Sequence, residues 1–345
     1  MSLIDTYPPT MRVSVMTRVG ALTIEDRPTP VPLVDQVVVE VAVVGICGSD
    51  VHYFREGRIG DFVVDGPLVL GHELSGRIVK VGANVDSKRI GERVAVEPQN
   101  PCRRCTQCME GRYNLCPAIE FYATPPYDGA LCRYVAIDTE FAHPIPDTIS
   151  DEAAALLEPL SVAVATLRKA GVTPGSSVLI AGAGPIGIIS AQAAKAYGAA
   201  RIIVTDPIPA RRERALTFGA TDVMDPRVDD IAALDPKVDV FIDASGAAPA
   251  IGSGIKAVGP AGRVLLVGMG SEKCVLPISY IQAMEITVTG VFRYAHTWPA
   301  AIHLVSSGAV DLDSLVTGRY DLDHVGAALA SDSDPSSIKS IVTPL

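Results

Sequence analysis

Hydrophobic and polar positions follow two different patterns along the chain. In the first third, short valine-rich runs such as residues 37–44 and 77–81 are separated by glycine and proline at close intervals. Such runs are typical of small β-strands in a barrel or a folded sheet. This part of the chain is therefore predicted to be mostly β.

From about residue 175 the pattern changes, and β-rich runs alternate with alanine-rich stretches. The runs predicted as strands are residues 177–181, 201–205, 238–243, 263–267 and 285–290. In the first alanine-rich stretch, Ile186, Ile189, Ala193 and Ala196 recur at helical spacing. The alternation predicts the α/β fold class, with a parallel, doubly wound sheet.

A helical segment that contains a proline precedes this region. Ser150, followed by Asp151 and Glu152, predicts a helix N-terminus, and the helical pattern continues well beyond them. Pro159 interrupts the pattern, because proline disfavours the α conformation of the preceding residue and has no amide hydrogen to donate. We therefore expect Glu158 to lie at a kink or a helix junction.

Charge and composition exclude several classes of protein. The chain has 345 residues and a net charge of -10, from 29 Lys and Arg against 39 Asp and Glu, which argues against nucleic acid as a partner. The uncharged stretch 170–194 is punctuated by glycine and proline, so it predicts strand, turn and helix and not a membrane span. The N-terminus has no pattern of a secretory signal. We expect a cytoplasmic globular protein of about two domains.

A glycine motif marks a candidate dinucleotide site. Gly182, Gly184 and Gly187 form G-x-G-x-x-G between a predicted strand and a predicted helix, where backbone and helix N-terminus would hold a pyrophosphate. Asp206 ends the next predicted strand, where a carboxylate accepts hydrogen bonds from the ribose hydroxyls. The cofactor is therefore predicted to be NAD. The candidate contacts in this loop and strand are Gly182, Gly184, Pro185, Ile186, Gly187 and Asp206.

The same carboxylate would repel the 2′-phosphate of NADP. Arg211, Arg212 and Arg214 have two interpretations, because they would either face such a phosphate or form a solvated helix face. The presence of Asp206 favours the solvated face, and Arg211 is kept as a candidate cofactor contact.

Four cysteines form a compact group with the spacing C-x2-C-x2-C-x7-C. Such density suits a closed tetrahedral zinc site, whereas the rival interpretations are a CxxC redox pair or two local disulfides. A cytosolic setting disfavours both rivals. We expect a structural zinc ion held by Cys102, Cys105, Cys108 and Cys116.

A second set of metal-ligand types is dispersed along the chain. Cys47, His72 and Glu73 offer one thiolate, one imidazole and one carboxylate, which is a three-ligand catalytic set that leaves a fourth position open. Glu158 is a further candidate, either as a neighbour of the zinc ion or as an exchanging ligand. Ser49 and His52 follow Cys47 closely and are candidates for relaying a proton to solvent, although His52 would equally serve a local backbone group.

With these residues assembled, the chain resembles the zinc-dependent medium-chain dehydrogenases, and among them the polyol branch of sorbitol and xylitol dehydrogenases. The likeness covers nearly the whole length. It rests on the segments CGSDVHYFREGRIG, GHELSGRIVKVG, FYATPPYDGALCRYV, LLEPLSVA, AGAGPIG with Asp206, and GVFRYAHTWP, together with the four-cysteine lobe. In the better-known alcohol dehydrogenases a second cysteine completes the catalytic set, whereas the polyol enzymes carry Glu at the position of Glu158 and use the equivalent of Glu73 beside the zinc ion.

The resemblance implies catalytic zinc at Cys47, His72 and Glu73, with Glu158 directly bound or adjacent. It also implies a GroES-like catalytic domain over residues 1–155 with the zinc lobe at 98–117, a Rossmann domain over 156–292, and a return to the catalytic domain over 293–345. The family further suggests a homotetramer. The residues implied to contact a polyol substrate are Tyr53, Phe121, Thr124, Glu158, Arg293 and Tyr294.

The implied reaction is oxidation of a secondary hydroxyl of a sugar alcohol to a ketose, with hydride transfer to NAD⁺. A chemically different interpretation is a zinc dehydrogenase of the same fold that acts on a 2,3-diol or on L-threonine. Another is a nucleotide-binding relative without turnover. The complete set of metal-ligand types argues against that last class, because a protein without catalysis does not need it.

Overall fold

A computed structural model describes residues 7–270 and 273–344, so residues 1–6, 271–272 and 345 of the predicted domains lie outside the described part. The chain divides into two compact units. The first unit runs to Glu158 and resumes at Leu312, and the second unit is Pro159–Asp311.

The described residues form strands of two to ten residues. In chain order these are Thr10–Arg18 (β1), Ala21–Pro28 (β2), Gln36–Gly45 (β3), Arg58–Ile59 (β4), Phe62–Val63 (β5), Leu68–Val69 (β6), Glu73–Val81 (β7), Arg93–Val96 (β8), Gln99–Asn100 (β9), Glu120–Phe121 (β10), Tyr134–Asp138 (β11), Ala142–Pro144 (β12), Ser177–Ala181 (β13), Arg201–Thr205 (β14), Asp222–Met224 (β15), Val238–Asp243 (β16), Val258–Leu266 (β17), Thr287–Gly290 (β18), Val316–Asp321 (β19) and Lys339–Thr343 (β20).

The described α-helices are Gly48–Glu56 (α1), Thr106–Met109 (α2), Asp151–Ala155 (α3), Leu157–Ala170 (α4), Pro185–Ala196 (α5), Pro209–Thr217 (α6), Ala248–Lys256 (α7), Ile278–Ala283 (α8), Trp298–Ser306 (α9) and Val325–Ala330 (α10). None of them, among the residues that the structure describes, is both long and apolar enough to cross a membrane.

The first unit is mainly β, as the valine-rich runs predict. Its largest sheet has the order β12-β8-β7-β3-β20-β19, and β11 also pairs with β3. Strands β3 and β7 are antiparallel, with Gly45 opposite Glu73, and β20 pairs antiparallel with β3 on its other side. The alternate valines of β3, including Val37, Val39 and Val41, are fully buried in the core of this unit. The sheet therefore brings the end of the chain beside the strand that leads to Cys47.

The second unit contains a six-stranded parallel sheet with the order β15-β14-β13-β16-β17-β18. This order reverses direction between β13 and β16, which is the topological switch point of a doubly wound fold. The predicted strands at 177–181, 201–205 and 238–243 are observed with those bounds, whereas β17 begins earlier, at Val258, and β18 begins later, at Thr287. The short strand β15 was not predicted.

The helix break near Glu158 differs in one detail from the expectation. Ser150 caps α3 as predicted, with its Oγ accepting the amide of Ala153 at 2.9 Å. The break falls at Leu156, and Pro159 lies in the first turn of α4, where a missing amide hydrogen costs no helical hydrogen bond. Glu158 therefore lies just after the junction, on α4.

The return to the first unit also begins later than position 293. Residues 293–311 belong to the second unit. Side chains at the C-terminal end of α4 bind the backbone just before this segment and within it. Arg168 donates to the carbonyl oxygen of His296, and Lys169 Nζ donates to that of Gly290, both at 2.7 Å. Gln192 on α5 exchanges two further hydrogen bonds with the backbone of Asp311.

Two glycines of α7 test the packing of the second unit. A Cβ on Gly254 would lie 2.2 Å from Cζ of Phe241, whereas a Cβ on Gly252 would have only the Val275 carbonyl within 4 Å, at 3.7 Å. We expect Gly254→Ala to lower the free energy of unfolding by about 1–3 kcal/mol through overpacking. Gly252→Ala, the matched control, should raise it by up to ~1 kcal/mol through helix propensity. Urea unfolding measures both, and equal effects of the two variants would contradict the packing.

Candidate metal centre and cofactor site

Three predicted zinc ligands converge in the first unit. One ligand atom from each of Cys47, His72 and Glu73 lies within 4.8 Å of the other two. Cys47 immediately precedes α1, and His72 and Glu73 lie at the start of β7, so the pairing of β3 with β7 brings the two segments together. His72 and Glu73 are buried, and Cys47 is half-buried.

Asp50 fixes the backbone that carries two of these ligands, and the sequence reasoning missed it. It is fully buried, its Oδ2 accepts the amide of Cys47 at 3.0 Å, and its Oδ1 accepts the amide of Gly71 at 2.9 Å. Nδ1 of His72 lies 3.7 Å from the same Oδ1. An acid three residues after a helix N-cap is the sequence signal that would have found it.

The electrostatic field at this cluster favours a cation. Burial lowers the pKa of His72, but the negative groups Asp50, Cys47 and Glu158 outweigh burial and raise this pKa to about 10. Glu158 is itself buried, and it lies outside the three-residue ligand group although close enough to act on His72. Such a collection of buried negative groups is stabilised when a positive charge enters it.

Glu73 supplies the clearest evidence that the cluster fits a metal ion. Lys339 Nζ donates to Oε1 of this fully buried carboxylate at 2.5 Å. Among the described residues, Oε2 has no hydrogen-bond partner. A Cβ on Gly45 would come within 2.2 Å of Oε2, so only glycine leaves room for the carboxylate there. A buried carboxylate oxygen without a partner is costly, and a zinc ion held with Cys47 and His72 would satisfy it.

Lys339 is the second residue that the sequence reasoning missed. It is buried at the start of β20. Burial opposes its charged form, but Glu73, Cys47 and Glu158 raise the pKa of Lys339 above its usual value. It lies 266 positions from Glu73 in the sequence, so no local sequence pattern predicts this ion pair.

The four cysteines of the lobe also converge. Their sulfur atoms all lie within 4.8 Å of one another, and the amide of Cys102 donates to Sγ of Cys116 at 3.3 Å. Backbone amides of Arg104 and Cys105 lower the pKa of the Cys102 thiol to about 6. All seven cysteines of the chain are unpaired thiols, in contrast to the local disulfides considered above. Four convergent sulfurs fit a tetrahedral zinc site.

Arg103 fastens this lobe to the rest of the first unit. Its guanidinium donates to Asp138 at 2.7 Å and to Glu140 at 2.8 Å, and it stacks over the ring of Phe141. The lobe also reaches the buried carboxylate of Glu97, which accepts a hydrogen bond from the hydroxyl of Tyr113 at 2.9 Å. The lobe is therefore anchored to the body of the unit by side chains from both of its halves.

The glycine loop joins β13 to α5 as the motif predicts. Gly182 has a φ of 96°, and a Cβ on Gly187 would lie 1.8 Å from the carbonyl oxygen of Gly182, so both positions require glycine. Gly184 is the N-cap of α5, Pro185 is its first residue and Ile186 its second. The amides of the first turn are thus available to an anion, as in other dinucleotide loops.

Asp206 lies directly beside this loop. It is 5% exposed, and its two carboxylate oxygens accept the amides of Ala183 and Ile208 at 2.9 and 2.8 Å. Each carboxylate oxygen keeps a second lone pair, so both can still accept a ribose hydroxyl. Arg212 donates to the Asp206 carbonyl oxygen and pairs with Asp225 at 3.1 Å, which occupies it within the protein. Arg211 is half-buried on α6.

The predicted substrate residues fall in both units. In the first unit, Tyr53 is buried on α1, and the ring of Phe121 lies 5.6 Å from that of His72, with the amide of Thr124 donating to the Phe121 carbonyl oxygen. In the second unit, Arg293 has a φ of 54° and stacks on Phe292. Tyr294 is buried and packs edge-on against Trp298.

The relay candidates both lie on α1. Ser49 is half-buried, and the His52 side chain is 45% exposed, with Nδ1 3.4 Å from Glu56 Oε1. A partly exposed imidazole so near Cys47 in the sequence suits proton exchange with solvent.

Comparisons with known proteins found two matching families and several similar relatives. Residues 34–147 match the family described as alcohol dehydrogenase GroES-like domain, and residues 185–307 match the family described as zinc-binding dehydrogenase. Sorbitol dehydrogenase of Bacillus subtilis (strain 168) is 43% identical over 331 residues, which cover 94% of each chain. The Aspergillus fumigatus protein named "Probable D-xylulose reductase A" is 42% identical over 341 residues, or 95% of each chain.

A solved structure shares this fold over nearly the whole chain. An alcohol dehydrogenase from Escherichia coli CFT073, crystallised with NADH, has a TM-score of 0.92 and 29% identity, covering 98% of this chain and 100% of that chain. The expected GroES-like domain and doubly wound nucleotide-binding fold are thereby confirmed.

The two ligand groups predict the metal content of the protein. We expect about two zinc ions per chain, one for each group of ligands. His72→Ala should lose one of them and Cys105→Ser the other, whereas Cys274→Ser, at a half-buried cysteine outside both groups, should keep both. Zinc analysis by plasma mass spectrometry measures the content. A His72→Ala protein with an unchanged zinc content would contradict the assignment.

Proposed function

This chain belongs to the zinc-dependent medium-chain dehydrogenases, and we propose that it oxidises a secondary hydroxyl of a sugar alcohol of the sorbitol or xylitol type to the ketose, with hydride transfer to NAD⁺. The observation that carries this proposal is the convergence of Cys47, His72 and Glu73, whose Oε2 has no hydrogen-bond partner in the described part of the chain. The substrate class is supported by the names of relatives that are 42–43% identical over nearly the whole chain.

Cys47 Sγ, His72 and Glu73 Oε2 would hold the catalytic zinc, with Glu158 beside them. When bound, zinc supplies Lewis acidity, which lowers the pKa of an alcohol. The protein's part is to keep the ligands fixed. Asp50 does so by accepting the amide of Cys47 and by facing His72, and Gly45 does so by leaving space for the carboxylate. Neighbours of this kind orient a ligand and strengthen it as a donor.

The first unit would also orient the polyol. The ring of Phe121 packs against His72 and forms an apolar wall beside the ligands, which excludes water from that side. Tyr53 and Thr124 supply hydroxyl groups, and Glu158 supplies a carboxylate, that suit the several hydroxyls of a sugar alcohol. Arg293 and Tyr294 are proposed to complete the substrate contacts. Ser49 and His52 would carry the released proton towards solvent.

The second unit would hold the cofactor. The pyrophosphate would lie on the amides at the start of α5, and Asp206 would accept the hydroxyls of the adenosine ribose. NAD is favoured over NADP, because the carboxylate repels a 2′-phosphate and Arg212, which donates to the Asp206 carbonyl oxygen, already pairs with Asp225. Arg211 would lie beside the same ribose.

We further propose a cytoplasmic homotetramer. Strand β18 forms one edge of the six-stranded sheet, and Phe292, two residues after its end, is 43% exposed. An edge strand with exposed apolar neighbours supports association with another copy of the chain. Seven unpaired cysteines support a reducing compartment.

A substrate panel tests the proposed reaction. Zinc-loaded protein with NAD⁺ should oxidise at least one of sorbitol, xylitol, arabinitol, ribitol and galactitol faster than 2,3-butanediol or L-threonine, measured as NADH absorbance. Cys47→Ser should reduce the rate by more than about 100-fold, because removing a ligand costs more than removing its neighbour, while NADH binding by fluorescence stays unchanged. Faster oxidation of the diol or of threonine, or no oxidation of any polyol, would contradict the proposal.

The cofactor preference is tested at Asp206. We expect Asp206→Ala to lower kcat/KM for NAD⁺ roughly ten- to a hundredfold, because hydrogen bonds to a charged group contribute free energy of that size. The kcat/KM for NADP⁺ should improve relative to that for NAD⁺. Asp239→Ala is the matched control, since its carboxylate also accepts a backbone amide, that of Ser177, but at the opposite end of β13. Steady-state kcat/KM with each cofactor measures the ratio, and a ratio unchanged in Asp206→Ala would refute the ribose contact.

A further inference from the structure

A lysine is completely enclosed next to the predicted catalytic metal ligands. Lys339 is 4% exposed, and its Nζ makes two hydrogen bonds, one to Glu73 Oε1 at 2.5 Å and one to the carbonyl oxygen of Ile46 at 2.8 Å. Ile46 is the residue directly before Cys47. One ammonium group therefore touches the carboxylate of one ligand and the peptide that leads into another.

The sheet of the first unit dictates this contact. The amide of Ile46 donates to the carbonyl oxygen of Ser340 at 2.9 Å, and Ile341 lies opposite Gly45 in the pairing of β20 with β3. Gly45 in turn lies opposite Glu73 in β7. The register of three neighbouring strands thus fixes the lysine, the glycine and the carboxylate, and the lysine has no need of a flexible loop to reach its partner.

The charges around the lysine come from several elements. Glu73 on β7, Cys47 before α1 and Glu158 on α4 are the negative groups that act on Lys339, and Asp50 acts on His72 beside them. Without a metal ion, the ammonium group of Lys339 pairs with the Glu73 carboxylate. With a divalent ion at Oε2, the same carboxylate is shared between two cations. Like charges so close together inside a protein repel strongly.

We propose that Lys339 is a positioning residue that holds Glu73 by Oε1, limits the charge this carboxylate gives to the zinc ion, and so keeps the metal electrophilic at the expense of metal affinity. The carboxylate is directed by Lys339 on one side and by the space over Gly45 on the other, so Oε2 is the oxygen that would bind a metal ion. A carboxylate that shares its charge with an ammonium is a weaker donor, and a metal with weaker donors is a stronger Lewis acid.

This inference rests on the proposed zinc site, and it makes a prediction that a purely structural role does not make. Replacing the lysine by an uncharged residue removes the repulsion of zinc and leaves Glu73 uncompensated when the metal is absent. Both effects favour the metal-bound state. The metal should therefore be held more tightly while the enzyme becomes slower. Loss of a merely structural contact would loosen the metal and slow the enzyme together.

The experiment compares Lys339→Met, Lys339→Arg and the native protein as purified holoenzymes. Zinc release is followed with a chromophoric chelator in excess, and the catalytic phase is identified as the one absent from Cys47→Ser. We expect Lys339→Met to release this zinc at least about tenfold more slowly and to lose at least about tenfold in kcat, with an unchanged KM for NAD⁺. Lys339→Arg, which keeps the charge, should restore both values towards the native ones.

Two further variants test whether Lys339 affects zinc release through Glu73. In a Glu73→Gln background, Lys339→Met should change zinc release by less than about twofold, because the shared negative charge is already gone. Lys237→Met is the matched control, since Lys237 Nζ also donates to two carbonyl oxygens, those of Ala232 and Lys256, but faces no metal ligand. It should leave both zinc release and kcat unchanged.

The outcomes separate this inference from the proposed function. A native protein without a phase that depends on Cys47 would overturn both. A native protein with that phase, combined with faster zinc release from Lys339→Met or an undiminished effect in the Glu73→Gln background, would overturn the role of Lys339 and leave the zinc site standing. If Lys339→Met folds only with zinc, its bound zinc can still be compared with that of the native protein. Slower exchange than in the native protein supports the inference, and faster exchange contradicts it.

Discussion

The carboxylate of Glu73 is fully buried in the β-sheet of the first unit, and the surrounding structure is arranged around its two oxygens. One oxygen binds Lys339, and the other is left beside Cys47 and His72 without a partner among the described residues. A buried carboxylate is tolerated when both of its oxygens have hydrogen-bond or ionic partners. We therefore propose that a metal ion is the partner of Oε2.

The strands bring the ligands and the cation Lys339 together from distant parts of the chain. Strand β7 carries Glu73, β3 leads to Cys47, and β20 returns the end of the chain to carry Lys339. The C-terminal segment therefore contributes Lys339 to the proposed metal site as well as a strand to the sheet. The second unit carries the proposed dinucleotide site. There, the carboxylate of Asp206 and the amides in the first turn of α5 can still form hydrogen bonds with a dinucleotide.

Much of this arrangement is local in the sequence and was predictable for that reason. The glycine loop, the four-cysteine lobe and the Ser150 cap are each formed by residues that are close together in the sequence, so their spacing carries the structural information. The convergence of Cys47 with His72 was expected from residue types and resemblance, and strand pairing explains it. Lys339 was not predictable, since the contact with Glu73 spans 266 positions and depends on strand register. The later start of the C-terminal return has a similar cause, because the backbone carbonyls that bind Arg168 and Lys169 leave no mark on the sequence.

The proposed reaction depends on a zinc ion bound by Cys47, His72 and one oxygen of Glu73. The most direct measurement is a crystal structure of the zinc-loaded protein with anomalous scattering recorded at the zinc edge. We expect two anomalous peaks in the chain, one among the four lobe cysteines and one about 2.0–2.3 Å from Cys47 Sγ, a nitrogen of His72 and Oε2 of Glu73, with Oε1 still on Lys339. Density for zinc at the lobe alone, or a metal ion that binds Cys47 and His72 while Glu73 points away, would contradict it.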